Sequence, residues 1–349
     1  KQTIHEQLDR AIPYQTLDLT TPTKNHFVHT LFDFLPPAFA ERKRIQFCGP
    51  TGADAVEASI KLAKIATGRD SIVAFQGGYH GMTHGALSLT GNLKAKSRRH
   101  GLMPDVHFFP FPYTLRCPFG LSGQESVLAS IRYLERVLYD SASGMTKPAA
   151  ILVEPVQGEG GAIPAPNRWL RELRRITSEL DILLILDEVQ CGISRTGKHF
   201  AFEFAGIDPD ILILSKAVGG GFPLSVLIFD ESIDMWHPGE HSGTFRGNQF
   251  AMATGAKTLE IIVRDNLTQN AQQMGERLQH GLASLQADHP CIGEVRGRGL
   301  MLGIEIVEPG ERGGRENCVV RLTPPLIINE TQVDFAVETF QKTLEEIAR

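Results

Sequence analysis

The stretches ILLILDEVQ (residues 182–190) and ILILSK (residues 211–216) decide the fold of this chain, because each is a short apolar run that leads into a charged side chain. Such runs are typical of strands buried on both faces of a parallel sheet. Asp187 follows the first run and Lys216 follows the second. Ligands of an open parallel sheet bind outside the carboxyl ends of its strands. We therefore expect both side chains to lie in one crevice.

Strand-like and helical runs alternate along the chain, which predicts an α/β protein with a largely parallel sheet and helices on both faces. Further strand-like runs lie at residues 71–75, 105–109, 149–153 and 225–229, and helical patterns at 125–139, 167–180 and 250–287. After residue 250 the pattern changes from alternating strands and helices to a long helical stretch followed by a glycine-rich segment, and we expect a domain border near residue 265. We expect a remnant of an N-terminal segment at 1–30, a large domain at 31–264 and a small α+β domain at 265–349.

An acid and a lysine at neighbouring strand ends suit pyridoxal phosphate, whose aldehyde needs an amine for a Schiff base and whose ring nitrogen needs an acidic partner. Taken alone, Lys216 is more often a solvated surface charge, and Asp187 more often a turn or a helix cap. Their conjunction favours the cofactor. The glycines at 219–221 add to it, because they let the backbone approach a ligand closely.

Two turns earlier in the sequence extend the predicted site. The small-residue turn at 47–54 precedes a helix expected from about Ala55 to Ala66, and a helix N-terminus binds anions such as phosphate. The alternative is that Thr51 or Asp54 only caps the helix. In the turn at 76–82, Tyr79 has a ring that can stack on a planar cofactor, or it is a packed tyrosine. His80 is equally compatible with a structural role.

Six ordered motifs resemble those of the class III (ω-amino acid) aminotransferases of pyridoxal phosphate fold type I. The motifs are residues 50–57, 79–81, 154–161, 186–190, 214–216 and 243–248. The resemblance implies an aspartate-aminotransferase-like large domain with a mostly parallel sheet, and a small α+β C-terminal domain. It also implies pyridoxal 5′-phosphate as the cofactor.

The resemblance assigns roles to individual residues. Lys216 would bind the cofactor covalently and shuttle protons, and Asp187 would pair with the pyridinium nitrogen. Gln190 would lie near the phenolic oxygen, and Tyr79 would stack on the ring. The other implied cofactor-binding residues are Thr51, Gly52, Ala53, His80 and Thr244. Thr244 would reach the phosphate in the neighbouring subunit, so the expected assembly is a homodimer or tetramer with shared active sites.

Two further residues would bind substrate. Arg321 matches the arginine that grips the α-carboxylate of the keto acid, for which a bidentate fork is well suited. Glu159 matches a glutamate that covers or releases a substrate-binding arginine, which would let one pocket accept two dissimilar substrates. The alternative for Glu159 is a loop carboxylate that caps backbone amides.

Within the class, four segments are most similar to the diaminobutyrate–2-oxoglutarate aminotransferases: residues 17–24, 51–64, 79–87 and 116–120. The implied reaction passes the terminal amine of L-2,4-diaminobutyrate to 2-oxoglutarate, giving aspartate 4-semialdehyde and glutamate. Ornithine or 4-aminobutyrate as donor stays open, because a methylene is worth only about 1–3 kcal/mol of discrimination. An aminomutase of this fold and a non-catalytic homologue that acts as a binding protein stay open as well.

At two places the sequence differs from the family pattern. Residues 1–8 resemble a point well inside the family sequence, and the connection at 308–312 is short where the family places a helix. We expect residues of the protein to be missing from the sequence at both places. True deletions would leave the substrate pocket incomplete.

The composition is that of a soluble enzyme. A net charge of −5 gives no reason to expect a nucleic acid or membrane partner, and no apolar run approaches the 18 residues of a membrane span. The five cysteines are odd in number and contain no C-x-x-C pair. Reduced thiols in a cytoplasmic protein are the simplest interpretation, and no metal site is predicted.

Overall fold

The structure, a computed structural model, describes residues 1–10, 12–16, 19–308 and 318–347. The strands, numbered in chain order, are β1 (Lys43–Phe47), β2 (Ile72–Phe75), β3 (Val106–Phe109), β4 (Ala150–Val153), β5 (Val156–Gln157), β6 (Ile163–Pro164), β7 (Leu183–Asp187), β8 (Ile211–Leu214), β9 (Val226–Asp230), β10 (Ile292–Arg298), β11 (Met301–Ile306) and β12 (Val319–Leu322). The short connection expected at 308–312 lies, from residue 309 on, outside the described residues.

The helices are α1 (Gln2–Asp9), α2 (Pro22–Phe34), α3 (Pro37–Ala40), α4 (Gly52–Thr67), α5 (His84–Leu89), α6 (Leu93–Lys96), α7 (Gly123–Tyr139), α8 (Asn167–Glu179), α9 (Gln249–Arg264), α10 (Leu267–Ser284) and α11 (Glu330–Ile347). Across the described ranges, no helix is both long and apolar enough to cross a membrane.

The main sheet orders its strands β1-β9-β8-β7-β4-β2-β3 within the described part of the chain. The five strands β3, β2, β4, β7 and β8 run parallel to one another, whereas β9 and β1 are antiparallel to their neighbours. The predicted α/β class and largely parallel sheet are confirmed, and each predicted strand begins and ends within one residue of the observed one. The edge strand β1 was not predicted, because its sequence KRIQF is not an apolar run.

Both faces of the main sheet are buried, and successive residues of a strand pack alternately on the two faces. On β7, Leu184 and Leu186 belong to one apolar cluster, together with residues of α2, α7, α8 and α9. Leu183 and Ile185 belong to a second cluster, together with residues of α4 and α5. Strands covered on both sides read as continuous apolar runs, which explains why these strands were recognisable in the sequence.

A separate small unit follows α9. Strands β10, β11 and β12 form an antiparallel sheet, and a cluster from Ala271 to Val333 packs it against α10 and α11. The helical pattern at 250–287 is not one helix but two, because Asn266 adopts a left-handed backbone conformation (φ 51°) between α9 and α10. This break supports a border between large and small domains near residue 265, which we propose. The expected border at residue 30 lies inside α2, whose Phe27 is fully buried in the large core.

Candidate active site

A pocket of about 950 Å³ opens at the carboxyl ends of β7 and β8. This volume lies within the range typical of small-molecule sites. Asp187 is the last residue of β7, Lys216 follows β8 by two residues, and both line the pocket. Because β7 and β8 are hydrogen-bonded neighbours in parallel, the two side chains meet at one edge of the sheet, as predicted.

The Asp187 carboxylate is held from two sides. Its Oδ2 lies 2.8 Å from Nδ1 of His80, and its Oδ1 accepts a hydrogen bond of 3.1 Å from the backbone N–H of Val189. Asp187 and His80 are each only 4% exposed. A buried carboxylate with a hydrogen-bond partner at each oxygen is orientated in advance. It can serve as the acidic partner of a protonated ring nitrogen.

Glu154 is a buried acid that the sequence reasoning left without a role, although it belongs to the motif at 154–161. It lines the pocket and accepts hydrogen bonds from the backbone N–H groups of Tyr79 (3.0 Å) and Gly158 (2.9 Å). Burial raises the pKa of Glu154 to about 7, and the charge of Asp187 adds to this increase, while His80 opposes it. Glu154 thus joins the turn that carries Tyr79 to the turn that carries Glu159.

The anion-binding end of the pocket is the N-terminus of α4. Thr51 is the N-cap, and its backbone N–H and its hydroxyl both donate to the Asp54 carboxylate, at 2.9 and 2.7 Å. The helix therefore begins at Gly52, three residues earlier than predicted from periodicity. The N–H groups of Gly52 and Ala53 lie in the first turn, where no intrahelical partner exists, and both residues line the pocket.

Lys216 has an unusual backbone. Its φ is 49°, in the left-handed region that non-glycine residues rarely adopt, and its side chain is exposed to the pocket. The preceding Ser215 is fixed by a hydrogen bond of 2.8 Å from its hydroxyl to the carbonyl of Leu224. A strained backbone at a pocket residue is typical of functional sites.

The other residues that line the pocket include some that the sequence predicted and some that it did not. Tyr79 and Gln190 line the pocket, as expected. Val189 and Phe222 also line it and were not singled out. Both residues could have been predicted from their position shortly after the end of a strand. Val189 belongs to the motif at 186–190, and Phe222 directly follows the glycines at 219–221.

Glu159 and Arg321, the predicted substrate residues, are paired with each other and are not among the described residues that line the pocket. The Arg321 guanidinium donates to both Glu159 oxygens, at 2.7 and 3.0 Å, and to the carbonyl of Gly158 at 3.0 Å. The two side chains remain partly exposed, so a solute can compete for the arginine. Thr244 is exposed and, in the described part of the chain, does not belong to the pocket lining.

The residues present fit pyridoxal phosphate. The pocket combines an amine, a buried carboxylate, an aromatic wall and free N–H groups at a helix N-terminus. These are the groups needed to hold an aldehyde, a basic ring nitrogen, a planar ring and a phosphate.

Comparisons with known proteins agree with this geometry. The diaminobutyrate–2-oxoglutarate aminotransferase of Rhizobium meliloti strain 1021 is 48% identical over 378 residues, covering 100% of this chain and 80% of the relative. The enzyme of the same name from Haemophilus influenzae is 46% identical over 373 residues, covering 98% and 82%.

A crystal structure of an amine transaminase from an uncultivated Pseudomonas species, in its pyridoxal phosphate-bound (internal aldimine) form, shares 28% identity with a TM-score of 0.90. The match covers 99% of this chain and 86% of that chain. It confirms the predicted fold type I. The family model for class-III aminotransferases matches residues 2–344. This chain therefore belongs to the class-III aminotransferases.

Proposed function

We propose that this chain is a pyridoxal phosphate-dependent aminotransferase that passes the terminal amine of L-2,4-diaminobutyrate to 2-oxoglutarate. The products are aspartate 4-semialdehyde and glutamate. The observation that carries the chemistry is the meeting of Asp187 and Lys216 at one pocket edge. The donor is supported by the names of the relatives from Rhizobium meliloti and Haemophilus influenzae.

The cofactor would be held by residues from three elements. The N–H groups of Gly52 and Ala53, with Thr51, would bind the phosphate, and Tyr79 would stack on the ring. Asp187, supported by His80, would keep the ring nitrogen protonated, and Gln190 would lie near the phenolic oxygen. When bound, pyridoxal phosphate supplies an electron sink for negative charge next to the transferred nitrogen.

Lys216 would have two roles. Its Nζ would hold the cofactor covalently between turnovers, and after release by substrate the same Nζ would move the proton. The pocket position supports both roles, because β8 delivers the lysine beside the acid that β7 delivers.

The substrate residues would work as an exchangeable pair. Arg321 would bind the α-carboxylate of the keto acid through its bidentate fork. Glu159 would occupy the same fork when the amino donor is bound, as it does in this structure. The partial exposure of both side chains supports the exchange.

We also propose a homodimer with shared active sites, in which Thr244 of one subunit binds the phosphate in the other. The exposed position of Thr244, outside the lining of its own pocket, supports this arrangement. A tetramer of two such dimers is compatible with it. The five free cysteines support a reducing, cytoplasmic location.

The test is a half-reaction titration of the full-length protein loaded with pyridoxal phosphate. L-2,4-diaminobutyrate, ornithine, 4-aminobutyrate and glutamate are added separately, and the cofactor absorbance is followed. We expect rapid conversion to pyridoxamine phosphate by diaminobutyrate and glutamate only. If another amine is converted faster, the chain is still an aminotransferase, but diaminobutyrate is not its preferred amino donor. A protein that takes up no cofactor would overturn the enzyme assignment.

A further inference from the structure

Three residues of the small-domain sheet lie opposite one another on neighbouring strands. Arg296 on β10 is paired with Gly303 on β11, and Gly303 is paired with Arg321 on β12. Directly opposed residues of antiparallel strands project from the same face of the sheet. The face therefore presents a row in which a glycine is flanked by an arginine on each side.

The turn at 158–161, which carries Glu159, rests on this row. Arg296 Nε donates to the carbonyl of Gly161 at 3.0 Å, and Arg321 donates to the carbonyl of Gly158 at 3.0 Å. A side chain at position 303 would collide with the Gly161 carbonyl oxygen, so only glycine lets the turn approach this closely. The turn is therefore fastened at both ends by arginines of the row.

Arg296 is itself rigidly held. Its guanidinium donates to the carboxylate of Glu305 at 2.7 Å and to that of Glu294 at 2.9 Å, and it lies 4.9 Å from the ring centroid of Tyr113. Glu305 is fully buried, accepts a second hydrogen bond from the Tyr113 hydroxyl at 2.9 Å, and forms an ion pair with Arg116. Burial raises the pKa of Tyr113, so its hydroxyl remains a donor.

We propose that Arg296 is a positioning residue that holds the turn at 158–161 where Glu159 covers Arg321, and that it thereby sets the preference of the pocket between amino donor and keto acid. The inference rests on the proposed function, because it takes Arg321 as the carboxylate-binding residue. Glu159 and the keto-acid carboxylate compete for one guanidinium. When the turn is held in place, Glu159 binds Arg321 without a further loss of conformational entropy, and it therefore competes better with the keto-acid carboxylate.

The first test compares Arg296→Lys with Arg298→Lys. Lysine keeps the charge of Arg296 but replaces the three separate guanidinium nitrogens that bind Gly161, Glu294 and Glu305 by a single nitrogen. Arg298 is a matched control, because it lies on the same strand and binds a different loop, through the Ala165 carbonyl and Asn167. Both half-reactions are measured in each variant.

For Arg296→Lys we expect the ratio of the KM for diaminobutyrate to the KM for 2-oxoglutarate to rise roughly tenfold, the effect of losing a hydrogen bond to a charged group. The kcat values should change by less than about twofold, because no reacting atom is touched. Arg298→Lys should leave the ratio unchanged. An equal change in both KM values, no change, or the same ratio shift in both variants would overturn the proposal.

The second test does not depend on substrate. The N–H groups of Gly161 and Ala162 both donate to the Gly158 carbonyl, at 3.1 and 3.2 Å, so their hydrogen exchange reports the order of the turn. Exchange should be faster in Arg296→Lys and in Gly303→Ala than in wild type and Arg298→Lys. Unchanged protection would refute the positioning role. If wild type does not convert diaminobutyrate, the proposed function fails, while the exchange data still decide whether Arg296 holds the turn.

Discussion

At the scale of single residues, the site depends on ionisable groups whose orientation is decided by neighbours. Asp187 is fixed by His80 and by a backbone N–H, and Glu154 is fixed by two backbone N–H groups. These partners cost no reorganisation when a cofactor binds, because the dipoles already point at the carboxylates. Glu188, next to Asp187 in sequence, is likewise held by two backbone N–H groups.

Glu188 makes a testable contribution to stability. It is 1% exposed and accepts hydrogen bonds from the backbone N–H groups of Ala201 and Phe202, at 2.7 and 2.8 Å. Burial nevertheless raises the pKa of Glu188 from 4.5 to about 8. The folded protein therefore retains a proton that the unfolded chain loses, and the free energy of unfolding falls as the pH rises from about 4.5 to about 8.

Glu188→Gln removes this titration, because the amide stays neutral at every pH. In wild type, the free energy of unfolding should fall by about a few kcal/mol between these pH limits because of Glu188, since one pKa unit corresponds to about 1.4 kcal/mol. We expect this fall to be absent from the variant. Urea unfolding of wild type and variant at several pH values measures it. Glu41→Gln, at an exposed glutamate, is the control. Parallel stability profiles for wild type and Glu188→Gln would contradict this account.

At the scale of elements, the pocket is built where strands end and a helix begins. Asp187 of β7 is paired in register with Ile213 of β8, and both strands are fully buried. Because neighbouring positions point into different apolar clusters, a slip of one residue would exchange the two faces. The register therefore secures the spacing between the acid and the lysine.

The start of α4 gives the prediction at this scale. Asp54→Ala removes the acceptor of the Thr51 N–H and hydroxyl, and we expect it to lower the free energy of unfolding by about 1 kcal/mol, as for other lost caps. Glu125, which occupies the corresponding position in the first turn of α7, is the control. Thermal or urea unfolding measures both. Equal effects of Asp54→Ala and Glu125→Ala would show that the observed cap adds nothing.

At the scale of the whole molecule, two units with their own apolar clusters carry the predicted site residues. The large unit carries Asp187, Lys216 and the N-terminus of α4, which line the pocket, and the small unit carries Arg321 on β12, which we propose as a substrate-binding residue. Residues 163 positions apart in sequence, Gly158 and Arg321, are hydrogen-bonded. The proposed dimer would add Thr244 from a second copy.

Mixed dimers test the shared site. Lys216→Ala and Thr244→Asp should each be nearly inactive, the second because its carboxylate would repel the phosphate. Co-expressed, they should regain about a quarter of wild-type activity, because about half of the dimers are mixed and each mixed dimer has one intact site. Lys216→Ala with Asp187→Asn is the control and should regain nothing, because both residues belong to the same subunit's site. Activity no higher than that of the parents would refute the shared site.

The sequence by itself determined the strands of the buried sheet and the meeting of Asp187 and Lys216. Doubly buried strands are apolar throughout, and parallel neighbours end at the same edge, so local pattern is sufficient there. It also determined the family, through six ordered motifs.

Only the tertiary structure decided the pairing of β1 with β9, the role of Glu154 and the row formed by Arg296, Gly303 and Arg321. The contact between Arg296 and Gly161 spans 135 positions, and that between Lys43 of β1 and Asp230 spans 187. Such contacts leave no periodicity in the chain, because each partner is decided by how distant elements pack rather than by its neighbours in sequence.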